Sequence, residues 1–196
     1  MLKNINQFNI VVCASGGGGN FQTLIDNQKK FDYNISLLII DRICGAIKRA
    51  VKSNIEYVVI EKKNVKDNFF DVLDSKIPAN TSLIVLAGFM VIIPRKFFQK
   101  RLTKIINTHP SLLPKYGGKG MYGVKVQEAV IANKEKIAGC TIHYVNENID
   151  GGEIILQKKI IVNNNESPWE LGGRIFKEEG VLLVKAINII KGNLSV

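Results

Sequence analysis

Four short apolar runs, rich in β-branched residues, recur through the first half of the chain, with helical patterning between them. They fall at residues 8–14 (FNIVVCA), 35–40, 57–60 and 82–87 (SLIVLA). Such continuously apolar runs fit strands buried on both faces. Strands that alternate with helices fit a parallel sheet joined by right-handed crossovers. The first intervening helix carries Phe21, Leu24 and Ile25 on one face. The second covers residues 46–52, and the third covers 65–76 with Phe69, Phe70, Val72 and Leu73 inward. Residues 94–99 predict a short helix with proline at its first position, and residues 104–107 a fifth strand. A glycine-rich loop at 116–123 precedes a helix at 125–132. Strands at 138–145 and 153–162 are expected to pair, and a last helix spans 168–190. The fold class expected is α/β: a mostly parallel central sheet, helices on both faces, and a less regular carboxyl-terminal edge.

A chain of 196 residues suits one domain, 1–196, with a sizeable core. No run is long and apolar enough to span a bilayer, and residues 1–7 offer no signal-peptide segment. Cys13, Cys44 and Cys140 are odd in number and far apart, with no metal-ligand spacing. They read as reduced, buried thiols of a cytoplasmic protein, and no metal is expected. The net charge of +10 reads first as solvated lysine, and it also favours the arrival of an anionic substrate. No basic run interleaved with aromatics supports nucleic-acid binding. Neither a membrane partner nor an oligomeric state is indicated.

Ser15-Gly16-Gly17-Gly18-Gly19-Asn20 joins the first strand to its helix. Glycines let a backbone approach a phosphate closely, and a helix N-terminus presents N–H groups with positive dipole character. Asn20 is placed to cap the helix. The loop lacks the Lys-Ser/Thr of a P-loop and a full dinucleotide fingerprint. Two readings stand: a tight strand-to-helix turn, or, better, a phosphate site for a small substrate.

Asn107-Thr108-His109-Pro110-Ser111-Leu112-Leu113-Pro114 holds one of the chain's two histidines. Residues two apart on a strand share a face, so Asn107 and His109 aim an amide donor and an imidazole at one region. A carboxylate such as Asp150, before Gly151-Gly152, would raise the imidazole's pKa and help move a proton. The amide would donate to an oxygen gaining negative charge. Taken alone, His109 also fits a structural role, and Asp150 a turn. No serine elbow or Cys–His pairing suggests a covalent intermediate. His143, mid-strand, reads as structural, Trp169 as core, and Lys115, Lys119 and Lys125 as solvated.

The glycine loop, Leu86-Ala87-Gly88-Phe89-Met90, the His-Pro-Ser-Leu-Leu-Pro segment and Asp150-Gly151-Gly152 occur in that order over essentially the whole chain. In this the chain resembles the phosphoribosylglycinamide formyltransferases, folate-dependent enzymes of purine synthesis. The resemblance implies a Rossmann-like formyltransferase fold, 10-formyltetrahydrofolate as co-substrate and glycinamide ribonucleotide as acceptor. It implies that Asn107, His109 and Asp150 are catalytic. Gly17, Gly18, Gly19 and Asn20 would hold the ribose phosphate, and Glu179 would contact that substrate's ribose or amide end. Met90, Val91 and Ile93 would line the folate pocket, and the loop of Glu147, Asn148 and Ile149 would read the pterin edge. Two positions depart from the family: Gly19 stands where Ser is frequent, and Val91 where Arg is frequent. A related formyltetrahydrofolate hydrolase, another formyltransferase of the superfamily, or a non-catalytic folate- or nucleotide-binding module are the alternatives.

Overall fold

The computed structural model describes residues 7–194. The chain divides into two compact units that meet in sequence at Ile105 and Ile106. The fold is α/β with a seven-stranded, mostly parallel mixed sheet.

The first unit carries strands β1 (Phe8–Ala14), β2 (Tyr33–Ile40), β3 (Tyr57–Val59) and β4 (Leu83–Leu86), in the order β3-β2-β1-β4. The β1–β2, β1–β4 and β2–β3 pairs are all parallel. Every residue of β1 is buried, as expected of a central parallel strand. Helix α1 (Gly19–Phe31) buries Phe21 and Leu24 one turn apart, and each large apolar side chain removed from water contributes roughly 1.5–3 kcal/mol. Helix α2 (Ala46–Lys52) matches its expected bounds.

Three local expectations change in this unit. The helix expected at 65–76 is broken into α3 (Lys62–Val65), a 3-10 turn (Lys66–Asn68) and α4 (Phe69–Lys76). Lys66, at φ 44°, interrupts it, and only Phe69 and Leu73 of the four expected residues are fully buried. Pro94 is the N-cap of α5 (Arg95–Lys100) rather than its first residue, with extended backbone at ψ 154°. Asn20 does not cap α1: Gly18 holds the N-cap position in the left-handed region at φ 72°, where a glycine is favoured. A Cβ on Gly18 would also lie 2.9 Å from that of Ala46.

The second unit takes in nearly all of β5 (Ile105–His109), then α6 (Val124–Ala132), β6 (Ile137–Tyr144), β7 (Ile154–Ile161) and α7 (Pro168–Leu194). Here β5–β6 and β6–β7 are antiparallel, which is the less regular edge the sequence predicts. Helix α7 buries Leu171, Ile175, Leu182, Leu183, Ala186, Ile187 and Ile190 along one stripe. Its start is a capping box. Ser167 N–H donates to Glu170 Oε2 at 2.8 Å, Glu170 N–H donates back to Ser167 Oγ at 3.3 Å, and Pro168 fills the first helical position. Trp169 is not core but 75% exposed. It stands in the first turn of the helix, ahead of Leu171, where the buried stripe begins.

Candidate functional site

Strand β5 ends on His109 rather than before it, so Asn107 and His109 are both strand residues on one face, and Thr108 points to the other. Antiparallel pairing sets Asn107 opposite His143 and His109 opposite Thr141. The following turn is pinned onto β6 and β7. Thr141 Oγ1–H donates to Ser111 O at 2.6 Å, Leu113 N–H donates to Thr141 Oγ1 at 3.0 Å, and Gln157 Nε2–H donates to Leu113 O at 2.9 Å. Gln127, on α6, donates to Pro110 O at 3.0 Å.

Asp150 is brought to this group by a tight turn after β6, with its backbone at φ 55°, a conformation aspartate tolerates better than most residues. The turn is possible because residue 152 is glycine, since a Cβ there would sit 1.8 Å from Tyr144 O. Asp150 Oδ2 accepts from Gly118 N–H at 2.9 Å and lies 3.6 Å from His109 Nδ1. Asp150 Oδ1 lies 3.8 Å from His143 Nε2. His109 is 4% exposed and donates its Nε2–H to Tyr116 O at 2.8 Å. That bond leaves Nδ1 as the nitrogen facing the Asp150 carboxylate, where a small closure permits proton exchange.

Asn107, half-buried, donates from Nδ2 to His143 Nε2 at 3.2 Å. His143 Nδ1–H donates to Tyr144 O at 2.8 Å, which fixes the tautomer that leaves Nε2 as acceptor. The arrangement orients the Asn107 amide and leaves its second N–H to donate elsewhere. His143 thus does more than pack mid-strand: it aligns Asn107. The pairing spans 36 residues, and only the antiparallel register of two separate strands could have announced it.

Burial pushes the His143 pKa below its ordinary 6.5, against the opposing pull of the Tyr144 carbonyl and Asp150. The folded protein therefore holds His143 neutral while the unfolded chain protonates it. This contribution to stability is complete above about pH 6.5 and is lost as pH falls below it. His143→Gln is expected to flatten that part of the stability–pH curve, measured by urea unfolding at a series of pH values. An unchanged slope would contradict it.

Thr108, on the opposite face, donates its hydroxyl to Glu179 Oε1 on α7 at 2.9 Å, and Glu179 is 6% exposed. Glu147, Asn148 and Ile149 are exposed on the loop before Asp150, and Asn148 N–H donates to Asn146 Oδ1 at 2.9 Å.

In the first unit, the glycine loop leaves Gly16 and Gly17 with open space where a Cβ would stand. Arg49, a residue the sequence reading missed, grips the loop by donating from Nε to Gly17 O at 2.7 Å and from Nη1 to Gln22 Oε1 at 3.1 Å. Ala46 N–H donates to Gly16 O at 3.2 Å. Gly19 and Asn20 open α1, in the first turn where N–H groups lack intrahelical acceptors. Met90 is 47% exposed and its N–H donates to Ser15 Oγ at 2.8 Å; Val91 and Ile93 are half-buried. Cys13 and Cys140 are buried, and desolvation pushes each thiol up to about 12, whereas Cys44 is only half-buried. Among the described residues no cluster of three or more metal-ligating side chains occurs, and no helix is long and apolar enough to cross a membrane.

Fold and site define an α/β protein with an asparagine, two imidazoles and a carboxylate gathered around the end of one strand. The profile of the formyl transferase family matches residues 8–187, and the chain belongs to that family. It is 33% identical over 187 residues to the chloroplastic phosphoribosylglycinamide formyltransferase of Vigna unguiculata, covering 92% of this chain and 60% of that relative's length. It is 37% identical over 176 residues to the phosphoribosylglycinamide formyltransferase of Haemophilus influenzae, covering 87% of this chain and 81% of the other. The structure superposes with a TM-score of 0.88 on glycinamide ribonucleotide transformylase 1 from Symbiobacterium toebii, at 27% identity, over 96% of this chain and 89% of that one.

Proposed function

We propose that the protein transfers the formyl group of 10-formyltetrahydrofolate to the amine of glycinamide ribonucleotide, a step of purine synthesis. The observation that carries this reading is the grouping of Asn107, His109 and Asp150 in a member of the formyl transferase family. The amine attacks the formyl carbon, a C–N bond forms, and the carbonyl electron pair moves onto oxygen. The second Asn107 N–H donates to that oxyanion, and protonated His109 adds positive charge. Asp150, which faces His109 Nδ1, accepts the amine's proton through water. Collapse restores the carbonyl and breaks the bond to the folate nitrogen, which takes up the proton.

Gly17, Gly18, Gly19 and Asn20 hold the ribose phosphate in this reading. It is supported by the open face of the loop and the helix start behind it. Glu179 serves the ribose or amide end. Met90, Val91 and Ile93 line the folate pocket, and Glu147, Asn148 and Ile149 read the pterin edge. Met90 is 47% exposed, and on its own loop Ile149 is 42% exposed, so each is open to a ligand. We read the chain as a single formyltransferase domain, since one family profile spans 8–187, and as cytoplasmic, on its free thiols.

The test is to follow tetrahydrofolate release from 10-formyltetrahydrofolate with and without glycinamide ribonucleotide. Release that depends on the ribonucleotide is expected. Equal release without it would replace this reading with that of a hydrolase, and none in either case would overturn it.

A further inference from the structure

The bond from His109 Nε2 to Tyr116 O depends on a residue in an unfavourable conformation. Tyr116 sits at φ 56°, in the left-handed region that bulky side chains occupy only where their surroundings impose it. Two anchors impose it here. Ser111 Oγ–H donates to Lys115 O at 2.6 Å, fixing the residue before. The Tyr116 phenol donates to Glu135 Oε1 at 3.0 Å, and the Lys115 ammonium lies 2.8 Å from the same oxygen. Glu135 stands on the turn between α6 and β6, where its own N–H is bound to Val130 O at 3.2 Å. Two residues beyond Tyr116, Gly118 N–H holds Asp150 Oδ2. One short segment therefore touches both His109 and Asp150 with its backbone, and a side chain outside the site tethers it.

We propose that Glu135 is a positioning residue for formyl transfer. By tethering the Tyr116 phenol it fixes the Tyr116 carbonyl on His109 Nε2, so that the imidazole takes up and releases its second proton at Nδ1, facing Asp150. The inference rests on the proposed function for its catalytic consequence, but not for its effect on the imidazole. An exposed Lys–Glu pair contributes little by itself, so the phenol bond is the decisive link and Lys115 holds the carboxylate in place. The charge states agree with this. The Lys115 bond, then that of Tyr116, holds the Glu135 carboxyl below its ordinary value, and desolvation with the Glu135 bond raises the Tyr116 phenol. The charged or titratable groups around His109 are Asp150 at 3.6 Å and His143, itself 3.8 Å from Asp150.

The imidazole can be read directly, because the chain has two histidines and His109→Ala assigns their signals. Ring-nitrogen NMR is expected to find wild-type His109 protonated at Nε2 when neutral. In Glu135→Ala and Tyr116→Phe the two nitrogens should become mixed, with His143 unchanged. Both variants should lose about tenfold in kcat with KM for either substrate within about twofold, as expected for a misaligned rather than missing group. Glu135→Asp should recover part of the rate. Tyr116→Phe removes one hydroxyl, so it keeps the test valid should Glu135→Ala fold poorly. An unchanged His109 nitrogen pattern in folded Tyr116→Phe would overturn the proposal, whatever the activity. Mixed nitrogens in a protein whose wild type transfers no formyl group would uphold the tether and overturn the assigned reaction instead.

Discussion

Asp150→Asn is expected to lower kcat for formyl transfer by about 10²–10⁴-fold while the protein stays folded, the range for removing a positioned acid–base group. Asparagine has the same size, and its amide oxygen can still accept from Gly118 N–H, the bond that Asp150 Oδ2 makes at 2.9 Å. What it loses is the charge 3.6 Å from His109 Nδ1 and 3.8 Å from His143 Nε2. In the proposed mechanism the amine's proton then loses its acceptor. His109→Ala is expected to fall as far, and the double variant no further, because the proposed mechanism uses the two groups as one proton-handling unit. Steady-state kinetics with both substrates, beside thermal melts of each variant, measure this. Near-wild-type turnover in folded Asp150→Asn would remove Asp150 from the mechanism.

The central strands β1 and β4 were legible because their burial is nearly total. Residues 8–14 have no polar side to mistake, and the glycine run after them left few options but a turn into a helix. Asn107 and His109 were legible as a pair because a two-residue strand spacing is a local rule. What stayed hidden was long-range. The partner of Asn107 lies 36 residues away on β6, Arg49 reaches the glycine loop across 32 residues, and Glu135 holds Tyr116 across 19. Backbone groups were hidden as well: Tyr116 O and Gly118 N–H contact His109 and Asp150 without any side-chain signature. Local pattern misled where competing constraints won. Lys66 breaks a helix that apolar spacing alone extends, and Trp169 stands at the very start of α7, before the helix meets the core.

Asn107→Ala is expected to cost about 10²–10³-fold in kcat, the usual loss when one donor to a developing oxyanion is removed. It should also cost about 1–3 kcal/mol of stability, because His143 Nε2, in a residue 1% exposed, loses the N–H that satisfies it. Those two effects have to be separated, and Asn107→Asp separates them. Aspartate fills the same space and restores a polar partner for His143, which can protonate at Nε2 to donate to it. It offers no N–H to the substrate, and it adds negative charge where the oxyanion forms. Stability near pH 6 should therefore recover relative to Asn107→Ala, and the His143 pKa should rise, while kcat stays as low or falls further. If Asn107→Asp instead regained most of the wild-type rate along with its stability, Asn107 would act only by bracing His143, and the oxyanion would need another donor.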